Sequence, residues 1–386
     1  MNVGEFLKKY TMVLALVVVA ILFSITTQGR ILYPQNINNL ISQNGYVFVL
    51  GAGMLLCILT GGNIDLAVGS VVCFTGAIGV VLMEHHGWNM WLAVLVMLGI
   101  GLLVGAFQGF WIAKVYVPPF IATLAGMYAF RGLSNVVLQG FAVPITNQNF
   151  LRLFGGGADC YIPDFLGGEG LNLTCMAFGL ILALLFSILQ IRKVSVQKKM
   201  GIIQSAKGDY IRTVVIAIVI IWVAWKLASY KGIPTVLIWV SLVLLVYNYI
   251  TTKTAIGRYL YAVGGNEKAT QLSGVNTRNV FLFAYANMGF LAGLAGILNV
   301  ARMTNAQPTF GQGYEMDAIA ACFIGGASAY GGTGKISGVI IGALLMGLIN
   351  QGMSIMGIDS NYQRVVKGLV LMLAVMFDVL SKRQKK

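Results

Sequence analysis

The chain is dominated by apolar runs of the length that crosses a bilayer. A membrane-spanning helix needs about 20 predominantly apolar residues, and one run after another here approaches that figure, with polar links between. Backbone N–H and C=O groups find no water in hydrocarbon, so such segments must be helices that satisfy these groups internally. Of 386 residues, 58% are hydrophobic and only 10% charged. A soluble protein of this length has no interior large enough to hide so much apolar surface. The sequence predicts an all-α polytopic membrane protein, with residues 1–386 forming a single transmembrane domain.

About twelve crossings fit best, near 9–27, 44–60, 66–84, 90–113, 118–137, 171–191, 212–229, 234–251, 279–301, 316–330, 336–356 and 363–381. The segment 316–330 is short and Gly-rich at its end, so a re-entrant or broken helix is its alternative. Keeping it as a crossing preserves the charge alternation. Lys8, Lys9, Lys114, the basic run within 192–211, Lys253, Arg258, Lys268, Arg278, Lys335 and the C-terminal lysines fall on one set of alternate segments. Positive charge marks loops that were not translocated, which places both termini in the cytoplasm. The same distribution accounts for the net charge of +14 without nucleic acid as a partner. The stretch after Lys8–Lys9 is similar to a signal peptide, but its length and poor cleavage site favour an uncleaved first span.

The five cysteines contain no CxxC pair, so no metal or redox site is expected. Cys160 and Cys175 flank one span end; pairing stays open, with free thiols preferred. The outer loop 138–170 is either a docking surface or a passive connector. The cytoplasmic basic loop 192–211 reads as a topology anchor near anionic membrane lipid.

One polar stretch stands apart. Gly257–Val275, within a cytoplasmic segment 252–278, lies between two long apolar runs. Asn266 can cap a helix through its side-chain oxygen, and Glu267 puts a carboxylate near that helix's N-terminus. Gly264–Gly265 and Gly274 supply turn punctuation. The expectation is a short exposed helix, 266–273, across the inner mouth of the bundle.

This stretch resembles the cytoplasmic loop of the ABC permeases that import ribose, galactose and xylose. Their pattern is matched by Gly257, Arg258, Tyr261, Ala262, Gly264, Gly265, Asn266, Ala269, Ser273 and Gly274. Further blocks similar to that family are 62–70 (GNIDLAVGS), 117–126 (VPPFIATLAG), Arg131–Gly132 and 314–326 (YEMDAIAACFIGG). An apparent insertion around crossings 7 and 8 makes the longer xylose and multiple-sugar type the nearest in kind. The resemblance implies a permease of the bacterial inner membrane. It implies a homodimer around one path, a cytoplasmic ATPase gripping the loop, and an extracytoplasmic sugar-binding protein delivering a monosaccharide. ATP and magnesium would reside on the ATPase, with no cofactor on this chain. The ATPase-coupling residues would be Gly257, Arg258, Gly264, Gly265, Asn266, Ala269, Ser273 and Gly274. Because the binding protein supplies affinity, no well-formed sugar site is expected in the resting bundle.

Asn63-Ile-Asp65 and Glu315-Met-Asp317 open Gly/Ala-rich spans from opposite sides, which suggests that crossings 2–5 and 9–12 are an inverted repeat. Charge at membrane depth faces protein or water. Candidate pathway groups are Asn63, Asp65, Phe120, Glu315, Asp317 and Asn350. Helix capping is the preferred role for Asp65 and Asp317. Glu84 is read as solvated, Arg131 as snorkelling to the outer interface, and Asp378 as a partner for Lys382 one turn on. The nearest phosphate-loop lookalike, 329–336, lacks its first Gly and ends in Ile336, so ATP binding on this chain is rejected. An ion-gradient-driven secondary sugar transporter is the alternative. It lacks a proton relay, since the two histidines, His85 and His86, sit beside an outer turn.

Overall fold

The computed structural model describes residues 3–200 and 207–383. Its helices, in order, are α1 (Val3–Thr26), α2 (Pro34–Gln43), α3 (Gly45–Leu59), α4 (Val68–Glu84), α5 (Met90–Ala113) and α6 (Pro119–Leu138). Then come α7 (Gln148–Phe154), α8 (Leu173–Lys199), α9 (Lys207–Ala228), α10 (Thr235–Lys253), α11 (Ala255–Gly265) and α12 (Glu267–Leu272). The chain closes with α13 (Thr277–Met303), α14 (Tyr314–Ile324), α15 (Ile336–Ile355) and α16 (Ser360–Arg383). A minimal antiparallel ribbon pairs β1 (Val143–Pro144) with β2 (Asn305–Ala306). Part of the basic loop 192–211 and the last C-terminal lysines lie outside the described residues.

Among the described residues, eight helical stretches are long and apolar enough to cross a membrane; one of them, Pro34–Leu59, is α2 and α3 together. The chain is therefore an all-α polytopic membrane protein. Predicted crossings 9–27 and 66–84 coincide with shorter apolar helices, Thr11–Thr26 and Val68–Glu84. The segment 316–330 takes the broken-helix alternative: a short helix followed by a Gly-rich connector. α14 stops at Ile324 after 11 residues, about 16 Å of helix axis, against about 30 Å of hydrocarbon. Gly325 caps it and Gly326 turns away with φ +81°.

α3 and α13 form the centre. Every residue of α3 except Tyr46 is buried, so its apolar sequence needs no polar face. α4 follows α3 in the chain but packs chiefly on α13 and α6; α14 follows α13 but packs chiefly on α3, α15 and α16. Each half of the chain thus lays its second helix against the first helix of the other half. Small residues permit this. α5 and α13 run antiparallel with Gly101 and Gly105 against Gly289 and Gly293, and a side chain on Gly105 would meet the Tyr285 carbonyl oxygen. Lipid gives helices no hydrophobic reason to associate, so close backbone packing of this kind holds them together.

α8 and α9 form an antiparallel hairpin at the edge, closed by the Asn172 amide donating to the Ala228 carbonyl at 3.0 Å. Most of their apolar surface faces outward. The loop 138–170 is structured: Phe150 and Phe154 of α7 are buried, and Trp239 donates to the Leu153 carbonyl at 3.1 Å. All five cysteines are free and buried, Cys160 and Cys175 included. The bundle has two distinct ends. One carries α12, the C-terminal ends of α3 and α5, and the N-terminal ends of α6 and α13. The opposite end carries the N-terminal ends of α3, α10 and α14 and the C-terminal end of α13.

Candidate functional site

α11 and α12 make an elbow between α10 and α13. Thr254 caps α11 by accepting the Gly257 amide at 3.2 Å. Where turn punctuation was expected, Gly264 and Gly265 instead complete α11. Gly264 has a different task, since a Cβ there would collide with the Leu59 carbonyl and the Gly332 amide. The Tyr261 hydroxyl donates to the Gly334 carbonyl at 2.8 Å. α11 is therefore fastened both to the end of α3 and to the connector between α14 and α15, which is the phosphate-loop lookalike.

The predicted short helix is α12. Asn266, extended at φ −161°, accepts the Ala269 amide at 3.0 Å, and Glu267 occupies the first turn. Gly274 at φ +85° ends the turn. Thr270 is the buried anchor of α12. Gly265, Asn266, Ala269, Ser273 and Gly274 are exposed, as is Arg258 on α11. Gly257 is buried against the Ile250 carbonyl and Gly264 is pressed on α3, so neither presents surface. Sequence reasoning missed Leu272, which is 90% exposed at the tip. A lone large apolar residue in a polar run was the available signal.

Behind the elbow lies a cavity of about 320 Å³ walled by Asn63, Tyr116, Pro118, Glu267 and Arg278. It links α12 to the break between α3 and α4 and to the α5–α6 link. Arg278 sits 5.2 Å from the centre of the Tyr116 ring, and Tyr116 holds φ +64°. Asn63 donates weakly to Thr60 Oγ1 at 3.3 Å. Asp65 is buried and accepts the Ala67 amide at 2.8 Å. α4 has Ala67 at its N-cap and no side-chain cap, so the expected capping role of Asp65 needs correcting to a turn contact ahead of the helix. Phe120 is 55% exposed on the first turn of α6, apart from these groups.

Asp317 does not cap α14. Its carboxylate accepts from Lys367 Nζ at 3.0 Å and from the Tyr46 hydroxyl at 2.6 Å, tying α14 to α16 and α3. Glu315, one side of the same turn, lies close to Gly69 of α4. Above the pair opens a cavity of about 400 Å³ at the end opposite α12, with Asn350, Tyr46, Tyr314, Asn299 and Lys367 in its walls. Thus Asn350 lines this cavity and Asp317 lies buried behind two of its wall residues, Tyr46 and Lys367, while Asn63 and Phe120 are at the other end.

Two further expectations need correcting, and a third, the pairing of Asp378 with Lys382, falls outside the described residues. Glu84 is not merely solvated, because it accepts the Thr146 amide at 2.9 Å and hydroxyl at 2.6 Å, pinning the outer loop to α4. Arg131 does not snorkel; it donates to the Pro308 and Phe310 carbonyls. Asp378 accepts the Ala329 amide at 3.1 Å, and the Lys382 side chain lies outside the described residues.

Long apolar helices around two buried central ones, with an anchored polar elbow at one end, define a multi-pass, all-α membrane protein. The chain belongs to the family described as "Branched-chain amino acid transport system / permease component", whose model matches residues 36–375. It is 34% identical over 379 residues to the xylose transport system permease protein XylH of Escherichia coli (strain K12), covering 98% of this chain and 93% of the relative. XylH of Haemophilus influenzae is 33% identical over 379 residues, covering 98% of each chain. The ribose import permease protein RbsC of Escherichia coli (strain K12) is 34% identical over 349 residues, covering 90% of this chain and 86% of the relative. The resemblance drawn from the motifs is the one these relatives show. No solved structure matches.

Proposed function

We propose that this chain is the membrane-spanning subunit of an ATP-driven importer for a monosaccharide, a pentose or hexose of the xylose or ribose kind. It would lie in a bacterial inner membrane with about twelve crossings, both termini and the α12 end facing the cytoplasm. Two copies would form the path. A soluble ATPase would seat on α12, and a sugar-loaded binding protein would dock on the opposite end, where the loop 138–170 is held by Glu84 and Trp239. The exchanged packing of α4 and α14 supports an inverted repeat of α3–α6 and α13–α16, with the path along its interface.

The observation that carries this reading is the elbow. α12 stands free, while α11 grips both α3 and the α14–α15 connector through Gly264 and Tyr261. A push on Leu272 and its exposed neighbours would reach the central helices of both halves at once. The chemistry of ATP hydrolysis would stay on the partner; the work of this chain is to convert that push into alternating access.

The test is reconstitution in vesicles with the candidate ATPase and binding protein. Uptake of D-xylose or D-ribose should require ATP and both partners. Uptake driven by an ion gradient with no ATPase present would favour a secondary transporter and overturn the proposal.

A further inference from the structure

We propose that the 400 Å³ cavity at the end opposite α12 is a monosaccharide station inside each chain, with Asn299, Asn350 and Tyr314 as its reading groups. This rests on the importer reading above and gives that reading a substrate site. The cavity is walled by six segments that the chain brings together only on folding: the α2–α3 junction, the start of α10, the end of α13, and parts of α14, α15 and α16. Its size falls in the range of about 300–1,000 Å³ found for small-molecule sites.

The unpaired atoms on its walls describe the ligand. Asn299 is 6% exposed. Its Oδ1 accepts from the Tyr314 hydroxyl at 2.6 Å, while its Nδ2 has no partner. Asn350 Oδ1 and Arg302 Nε are also buried without partners. Asn350 is held by a long bond from its Nδ2 to Asn44 at 3.4 Å. Buried polar atoms are nearly always satisfied, so a cluster of orphans around one space points to a missing partner. Two orphan donors and one orphan acceptor suit a ligand whose groups both donate and accept. Hydroxyls do that, and carboxylates or ammonium groups do not.

One other feature agrees. Tyr46 and Tyr314 stack at 3.7 Å between ring centres in the wall, a rigid aromatic surface beside the amides. An apolar C–H face of a sugar ring can lie against such a surface. Lys367 also lines the cavity, but its charge is already matched by Asp317 at 3.0 Å. Arg302 brings a further positive charge to the wall with its Nε unpartnered, so the mixed set of donors and acceptor, not the charge, is what points to a polyol.

Two variants test the station in vesicles with the ATPase, the binding protein and D-xylose. Asn299→Leu removes the orphan donor. Met303→Trp fills the mouth from an exposed rim position and leaves the packed core alone. Each should lower uptake about tenfold or more while ATP hydrolysis stimulated by the loaded binding protein stays within about twofold of the parent. Unchanged uptake in both variants would overturn the station and leave the importer reading standing. Parallel loss of uptake and stimulated hydrolysis in Met303→Trp would also overturn it. Absence of ATP-driven uptake by the parent chain would remove both readings. A direct measurement needs no partner: saturation-transfer NMR on the purified full chain should detect D-xylose, with the signal reduced in Asn299→Leu. A signal from D-xylonate in place of D-xylose would overturn the choice of a neutral sugar.

Discussion

Lys367 of α16 and Asp317 of α14 meet at 3.0 Å with the carboxylate 1% exposed, and the Tyr46 hydroxyl closes on the same oxygen. A charge at this depth is tolerated only with a partner, so the two residues are a strut between helices that lipid alone would not hold together. Lys367→Met should leave Asp317 buried and unpaired, at a cost of about 3–5 kcal/mol. Thermal unfolding in detergent should show a clear loss, and adding Asp317→Asn should recover part of it. Equal stability of Lys367→Met and the parent would refute the strut.

Gly264 and Gly265 are adjacent and should behave oppositely. A side chain at Gly264 meets backbone of α3 and of the α14–α15 connector, whereas nothing lies within 4 Å of one at Gly265. Gly264→Val should reduce the yield of folded protein. Gly265→Trp should leave the chain inserted and monodisperse, yet abolish ATP-driven uptake by obstructing the partner. Normal uptake by Gly265→Trp would count against this face as the ATPase seat.

Leu272 is the large apolar group at the tip of α12, 90% exposed. Nothing in the bundle explains its exposure, and an interface residue that acts as a hot spot carries about 2 kcal/mol or more. Leu272→Ser should weaken ATPase binding by about tenfold or more, measured by titrating the ATPase onto the purified chain, with thermal stability unaltered. An unchanged affinity would move the contact elsewhere on the elbow.

Asp164 organises the outer loop. Its carboxylate accepts the Gly168 amide at 2.9 Å, the Thr174 hydroxyl at 2.7 Å and the Leu166, Leu173 and Thr174 amides. These bonds, the Gly168 amide first, hold its pKa well below the usual carboxylate range. A depressed folded-state pKa stabilises the loop fully above the unfolded value of about 3.9 and loses that contribution as pH falls through the folded value. Amide exchange at Gly168 and Thr174, taken relative to unstructured peptide at the same pH, should therefore stay slow at pH 5 and speed up only in stronger acid. Asp164→Asn should speed it at neutral pH. Fast exchange at pH 5 in the parent would contradict this.

Much of the architecture was legible because it depends on local physics. Apolar length alone located the long helices, since hydrocarbon forces every spanning backbone to satisfy itself. Asn266 announced α12 because a capping side chain acts over three residues. The pairing of Lys367 with Asp317 was not legible, because the two are far apart in the chain and only bundle packing brings them together. Arg131 has the length to reach an interface or two carbonyls, and neighbouring helices choose between these. Gly264 resembled punctuation because a glycine needed for close approach and one needed for a turn look alike in a string.

The sequence by itself determined that this chain lives in lipid, that it is helical, and that it keeps one polar elbow between two apolar runs. Those outcomes follow from solvent and from near neighbours. Only the tertiary structure decided that α4 lies on α13 and α14 on α3, that Gly264 and Tyr261 bolt the elbow to both halves, and that Asn299, Asn350 and Tyr314 share a cavity. Such contacts join residues tens to hundreds of positions apart. They are chosen by which helix faces can approach closely and leave the fewest polar atoms without a partner.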